Sequence, residues 1–284
     1  MKIKKRIITS VLVTTIALVI LTPTINASLE PNQTGTYTEL ANENYQPGSQ
    51  AYDILNSDDP ETISASDYHD NKIDYSNLDN LNRAGTATAY LTKNNLGKSS
   101  GRASQIFKPT GWNNQAKKIN GERVFPVNRG HLIAYTCTFN LNSDGNYKKG
   151  AKGSIDNPKN LITQSAFSNQ KIMQITEEKV RDALEENKKV VYQVTPVYQG
   201  LDLMAKGVWV EATSTDGTMH FNRYLYNVQP GVVFDYETGR STVDTSMTVP
   251  SPANYSKYHA KKYKKWHTTY SHKRYHVKKH FKFN

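Results

Sequence analysis

Apolar positions are spread unevenly along this chain, and their spacing divides it into segments of different character. The only long apolar run spans residues 7–21; Lys2, Lys4, Lys5 and Arg6 precede it and Pro23 follows. From 28 to 80 large aliphatics are sparse and no period of 2 or 3.6 residues persists, which predicts a largely disordered or loosely docked leader. Between 81 and 250 the pattern becomes legible. Residues 123–127 and 132–139 have strand character, the second because Tyr135, Cys137 and Phe139 alternate with Thr136 and Thr138. Residues 166–187 predict a helix broken near Gln174, with Val180, Ala183 and Leu184 at i, i+3 and i+4. Strands are expected at 190–198, 207–213, 220–228 and 232–236, and Asp216-Gly217 marks a hairpin turn. The expected body is α+β: an antiparallel sheet with packed helices. After 250 aliphatics almost vanish, so that segment cannot build a core of its own.

Charge sharpens these divisions. The 284 residues carry a net charge of +11, in four blocks. Residues 1–27 hold four basic residues and no acid, and 28–80 hold one lysine and eleven acids. Residues 81–250 hold 21 basic and 14 acidic residues; 251–284 hold ten basic residues and no acid. The first block has the charged start, short apolar middle and small residue (Ala27) of a secretory signal, with cleavage expected after Ala27. Fifteen mostly apolar residues are short for a membrane span, and no second apolar run follows, so no span is expected after signal removal. The single cysteine excludes a disulfide framework and any cysteine-based zinc site. Export without paired cysteines suits a Gram-positive source.

Only His69, His131 and His220 lie outside the tail. His131 stands apart because it closes Asn128-Arg129-Gly130-His131 at the end of an expected strand, where an imidazole reaches a rim and the glycine permits close backbone approach of a ligand. Downstream comes Asn157-Pro158-Lys159-Asn160, then Ser168-Asn169-Gln170 entering the helix; Pro109-Thr110-Gly111-Trp112 lies upstream. Cys137 is expected to be a small buried thiol, since no second histidine sits in a partner motif.

In this order the motifs resemble the DNA/RNA non-specific endonucleases of the ββα-metal superfamily, and most of all the secreted and DNA-entry nucleases of Gram-positive bacteria. The resemblance spans roughly residues 81–245 and implies a ββα-metal nuclease core. It makes His131 the general base and Asn169 the direct protein ligand of a divalent metal, Mg²⁺ with Mn²⁺ as a substitute. It places Asn160 near metal and phosphate, and has Glu177 support the metal's waters. Arg129 and Arg181 fall where an arginine faces phosphate. The family's usual Asp-Arg-Gly-His begins here with Asn128, counted with the substrate-binding positions; amide and acid share the same backbone-fixing hydrogen bonds. These roles suit the chemistry. An anionic diester needs a base for water and positive charge for its oxyanions, and neutral imidazole serves as that base. One neutral amide suits a Mg²⁺ that keeps most of its waters.

The expected organisation is therefore a signal peptide at 1–27, an acidic leader at 28–80, a nuclease domain at 81–250 and a basic tail at 251–284. The leader is read as a solvated spacer, with autoinhibition of a basic groove as the other reading. The tail's ten Lys/Arg, five His and eight aromatics fit a tether to cell-wall polyanions, ahead of a nucleic-acid clamp or a zinc site. The expected substrate is DNA, with RNA open. Two other functions stay in view: a catalytically weak surface protein that captures DNA for uptake, and a cell-wall adhesin. Oligomeric state is not legible.

Overall fold

The computed structural model describes residues 35–252; the signal segment and all but the first two residues of the tail lie outside the described residues. The chain begins with helix α1 (Gly35–Asn42) and strands β1 (Tyr52–Ile54), β2 (Lys72–Tyr75) and β3 (Ala87–Leu91). A hairpin of β4 (Lys117–Ile119) and β5 (Glu122–Val124) leads to β6 (Val127–His131) and β7 (Leu161–Ser165). After a π-helical turn (Ser168–Met173) come helix α2 (Gln174–Glu185), β8 (Val190–Val197), β9 (Gly207–Ser214), β10 (His220–Tyr226), β11 (Val232–Asp235) and β12 (Arg240–Val243).

Six strands form one antiparallel sheet in the order β1-β10-β9-β8-β3-β2. Every residue of β9 is buried, and β8 is buried at all positions but Gln193. A strand flanked by neighbours and covered on both faces loses polar alternation and reads as a continuous apolar run. α2 presents Val180, Ala183 and Leu184 to this core, and Ile172 and Met173 of the preceding turn join them. A smaller core gathers Val127, Met204, Val232 and Phe234 against Trp112, Ile119 and Tyr236.

Over its described residues, 35–80, the segment 28–80 corrects the expectation of a largely disordered or loosely docked leader, and with it the domain start at 81. From residue 35 it carries α1 and both edge strands of the main sheet. Its few apolar residues are well placed: Tyr37, Leu40, Ala41, Ala51 and Ile73 all enter the main core. Tertiary hydrogen bonds supply the rest. Buried Glu211 on β9 accepts from the backbone N–H groups of Glu61 and Thr62, from the Thr62 hydroxyl and from Gln193. A buried carboxylate that satisfies several donors ties this stretch down without aliphatic periodicity.

Two expected strands also differ. Residues 123–127 divide between β5 and β6, with Phe125-Pro126 separating them. Residues 132–139 make a loop with a 3₁₀ turn at Tyr135–Cys137. Their alternation satisfies burial through that turn, with Tyr135 and Cys137 both inside. The hairpin at Asp216-Gly217 is present. The expected break near Gln174 is not: Met173 and Gln174 are both right-handed helical, and the π-helical turn passes into α2 without interruption.

Candidate active site

β6 and β7 form a separate two-stranded ribbon that pairs Asn128 with Gln164, Gly130 with Ile162 and His131 with Leu161. β7 runs into the helix within a few residues, so ribbon and helix make a ββα unit. Gln164 links its parts. Its side chain crosses Gly130, where an added Cβ would lie 2.2 Å from the Gln164 amide oxygen. Its amide nitrogen donates to the Ser168 hydroxyl at 3.1 Å, one residue before Asn169. A side chain at position 130 is therefore excluded by Gln164 inside the protein.

His131 is held by the loop that follows it. Its Nε2 lies 3.0 Å from the Ile155 carbonyl oxygen. A carbonyl only accepts, so Nε2 carries the proton and Nδ1 keeps the lone pair. Burial pulls the imidazole down to about 4 from its ordinary 6.5; the Ile155 carbonyl and Asp156 oppose this and Arg102 adds to it. At neutral pH the ring is uncharged.

Asn160 is fully buried. Its amide oxygen accepts from Ile133 N–H at 2.8 Å and its amide nitrogen donates to the Ile133 carbonyl at 2.9 Å. The side chain expected near metal and phosphate is thus used on the backbone just beyond His131.

Asn169 lies in the π-helical turn, half-buried, and no described residue hydrogen-bonds its side-chain amide. One wide π turn of roughly 4.4 residues plus one α turn of 3.6 brings Glu177 onto the same helix face, eight residues on. The Glu177 carboxylate is 15% exposed and lies 3.5 Å from Arg181. Burial raises its pKa and the Arg181 charge lowers it. Arg181 also lies 3.7 Å from Glu178, so its charge goes to the helix's own carboxylates.

Arg129 donates through Nε to the Phe107 carbonyl and stacks its guanidinium 4.5 Å from the Trp112 ring. Its terminal nitrogens have no partner among the described residues. The half-buried Asn128 side chain likewise makes no hydrogen bond to a described residue. Among the described residues no three His, Cys, Asp or Glu side chains converge on one point. A lone unpaired amide on a helix face, with a carboxylate one π and one α turn away, fits a divalent ion such as Mg²⁺ that keeps most of its waters.

Residues 62–216 match the family described as DNA/RNA non-specific endonuclease. This chain belongs to that family. The nuclease is similar to NucA from Streptococcus agalactiae in two crystal structures. It is 30% identical to the form with a magnesium ion bound, at a TM-score of 0.60, with 74% of this chain and 94% of that chain covered. The form with no metal bound is 29% identical at 0.59, with 74% and 95% covered.

The nuclease site contains residues that sequence reasoning did not single out. Asp156 accepts from the backbone N–H groups of Ile106 and Phe107 at 3.0–3.1 Å, and Gln105 donates to the Ile155 carbonyl at 3.3 Å. Thr163 donates to the Thr110 carbonyl at 2.8 Å. These bonds seat the 105–112 loop, with its Trp112, beside His131. No motif marks Asp156 or Gln105, because both act on backbone groups of a loop distant in sequence. Cys137 is buried and its thiol is pushed up to about 12 by that burial, as expected of an inert thiol.

Proposed function

We propose that this endonuclease hydrolyses DNA without sequence preference, with His131 as general base and Asn169 as the protein ligand of a Mg²⁺ ion. The observation that carries the reading is the 3.0 Å contact between His131 Nε2 and the Ile155 carbonyl oxygen. With Nε2–H committed to Ile155, Nδ1 is left to take the proton of a water attacking phosphorus, and the low pKa keeps it unprotonated at neutral pH. When bound, the divalent ion supplies positive charge to the developing phosphorane oxygens and the leaving 3′ oxygen. Asn169 would hold it by one amide oxygen, and Glu177 would accept hydrogen bonds from its waters. Mn²⁺ has the same preference for oxygen ligands and is expected to substitute. The magnesium in NucA supports this reading.

Arg129 holds its guanidinium over the Trp112 ring, with its outer N–H donors available for the non-bridging phosphate oxygens. Asn128, the preceding residue of β6, is assigned a polar contact to substrate through its side-chain amide, which no described residue hydrogen-bonds. Arg181 acts on Glu177 rather than on substrate. Asn160 sets the backbone after His131. Attack in line with the 3′ oxygen leaves 5′-phosphate ends.

Residues 1–27 are read as an export signal and 251–284 as a tether to wall polyanions; both lie outside the described residues, apart from 251 and 252. Secretion places the nuclease outside the cell, and a tether would keep it at the wall. Among the described residues no helix is long and apolar enough to cross a membrane.

Plasmid DNA and an RNA of similar length, each incubated with Mg²⁺, with Mn²⁺ and with excess chelator, test the proposal. DNA cleavage with either metal and none with chelator is expected. Cleavage in chelator would overturn the metal role, and binding without cleavage under every condition would favour the DNA-capture reading.

A further inference from the structure

Downstream of His131 the chain builds a groove that the hydrolytic mechanism does not use. It has a volume of about 810 Å³ and is lined by Asn142, Lys148, Lys149, Gly150, Ile155 and Asp156, among others. Ile155 is also the residue whose carbonyl holds His131, so groove and base share a wall.

The groove is built rather than incidental. Lys148 N–H donates to the Asn140 carbonyl at 2.8 Å, Gly150 N–H to the Asn140 side chain at 2.7 Å, and Asn140 N–H to the Ala151 carbonyl at 2.9 Å. Asn142 caps the turn below by accepting from Asp144 and Asn146 N–H at 3.1 and 2.8 Å. Gly145 (φ +89°) packs so tightly on Ile73 that an added Cβ would lie 1.8 Å from the Ile73 carbonyl oxygen. The loop is thus stitched to itself and to the main sheet before any ligand arrives.

Its charges are unspent. Lys148 and Lys149 are exposed and pair with no carboxylate among the described residues. The acid in the groove, Asp156, has its oxygens turned to the N–H groups of Ile106 and Phe107. Next to the lysines stands Tyr147, 53% exposed although aromatic, with its backbone bridged to Leu141. Two unpaired lysines beside an exposed ring on a braced loop match what a nucleic-acid strand needs: cations for phosphates and a flat face for an unpaired base.

We propose that Tyr147, Lys148 and Lys149 form a subsite for the strand flanking the scissile phosphate, with the lysines on backbone phosphates and Tyr147 stacked on an unpaired base. Because stacking needs an unpaired base, the subsite favours single-stranded over duplex DNA. The proposal rests on the nuclease reading for its substrate, and its test reads binding alone, so failure of hydrolysis does not decide it.

The test is equilibrium binding of fluorescently labelled 20-nucleotide DNA, single-stranded and duplex, to the full chain in chelator, at several salt concentrations. Thermal unfolding confirms that each variant is folded. Lys148→Ala/Lys149→Ala should weaken binding to both DNAs. It should lower the salt slope by about 1.4 for the single strand and about 1.8 for the duplex. Lys148→Arg/Lys149→Arg should retain affinity. Tyr147→Ala should weaken single-strand binding about fivefold or more and leave duplex binding within about twofold, whereas Tyr147→Phe should bind as wild type. An unchanged salt slope in the double alanine variant would overturn the phosphate contacts. Equal loss on both DNAs, or no loss, in Tyr147→Ala would overturn the stacking contact. A chain that binds as described yet never cuts would uphold the subsite and refute the proposed function.

Discussion

Asn160 and Ile133, 27 residues apart, are joined by two hydrogen bonds: the Asn160 amide receives the Ile133 N–H at 2.8 Å and gives its own N–H to the Ile133 carbonyl at 2.9 Å. The pair closes the loop after His131 onto the start of β7, with both residues fully buried. Asn160→Ala should therefore cost about 2–4 kcal/mol in thermal or urea unfolding, because two buried backbone groups lose their partners. Asn160→Asp should be no better, since a carboxylate cannot donate to the Ile133 carbonyl. If Asn160→Ala keeps wild-type stability and loses only turnover, the residue acts on substrate instead.

His131→Ala should lower turnover by about 10² to 10⁴, as loss of a general base does, and leave DNA binding in place. Near-wild-type turnover would remove His131 from the base role.

The pH dependence follows from the same ring. The folded protein holds His131 at about 4 and the unfolded chain at 6.5, so only the unfolded chain takes up this proton between those values. Its contribution to stability is complete above pH 6.5 and is lost as pH falls towards 4, by about 3 kcal/mol at most. The acid limb of the rate profile should lie near 4–5, with a flat rate from 6 to 8. A limb centred at 6.5 would show an imidazole open to water.

Asn169→Ala should raise the Mg²⁺ concentration for half-maximal rate at least tenfold or abolish cleavage, because one neutral oxygen is the main protein hold on the ion. Metal titration of initial rates measures this, and an unchanged midpoint would move the ion elsewhere.

Gly130→Ala should destabilise the protein by about 1–3 kcal/mol, since its Cβ would meet the Gln164 amide at 2.2 Å. Gln164→Ala in the same chain should restore much of that loss by vacating the space. Additive losses in the double variant would show that the two side chains do not meet.

Much of this protein is determined locally and is legible in its sequence. The helix over 166–187 and the strands from 190 onward follow from spacing, because each packs one continuous apolar set against the core. The motif order around Asn128-Arg129-Gly130-His131 and Ser168-Asn169 marks the ββα unit, because its chemistry needs those residue types in that succession. What depends on distant partners was not legible. The acidic segment has too few aliphatics to show a period, yet Glu211 collects the donors of Glu61 and Thr62 across 150 residues and makes it part of the sheet. The alternation of Tyr135, Cys137 and Phe139 suited a strand until the Asn160 clamp and a 3₁₀ turn bent the loop. Asn160 reads as a site residue in sequence and is an anchor in space. His131 acquires its tautomer from a carbonyl 24 residues away. Periodicity is a property of neighbouring residues and survives in one dimension; the pairing of a buried polar group is chosen only when the chain closes on itself.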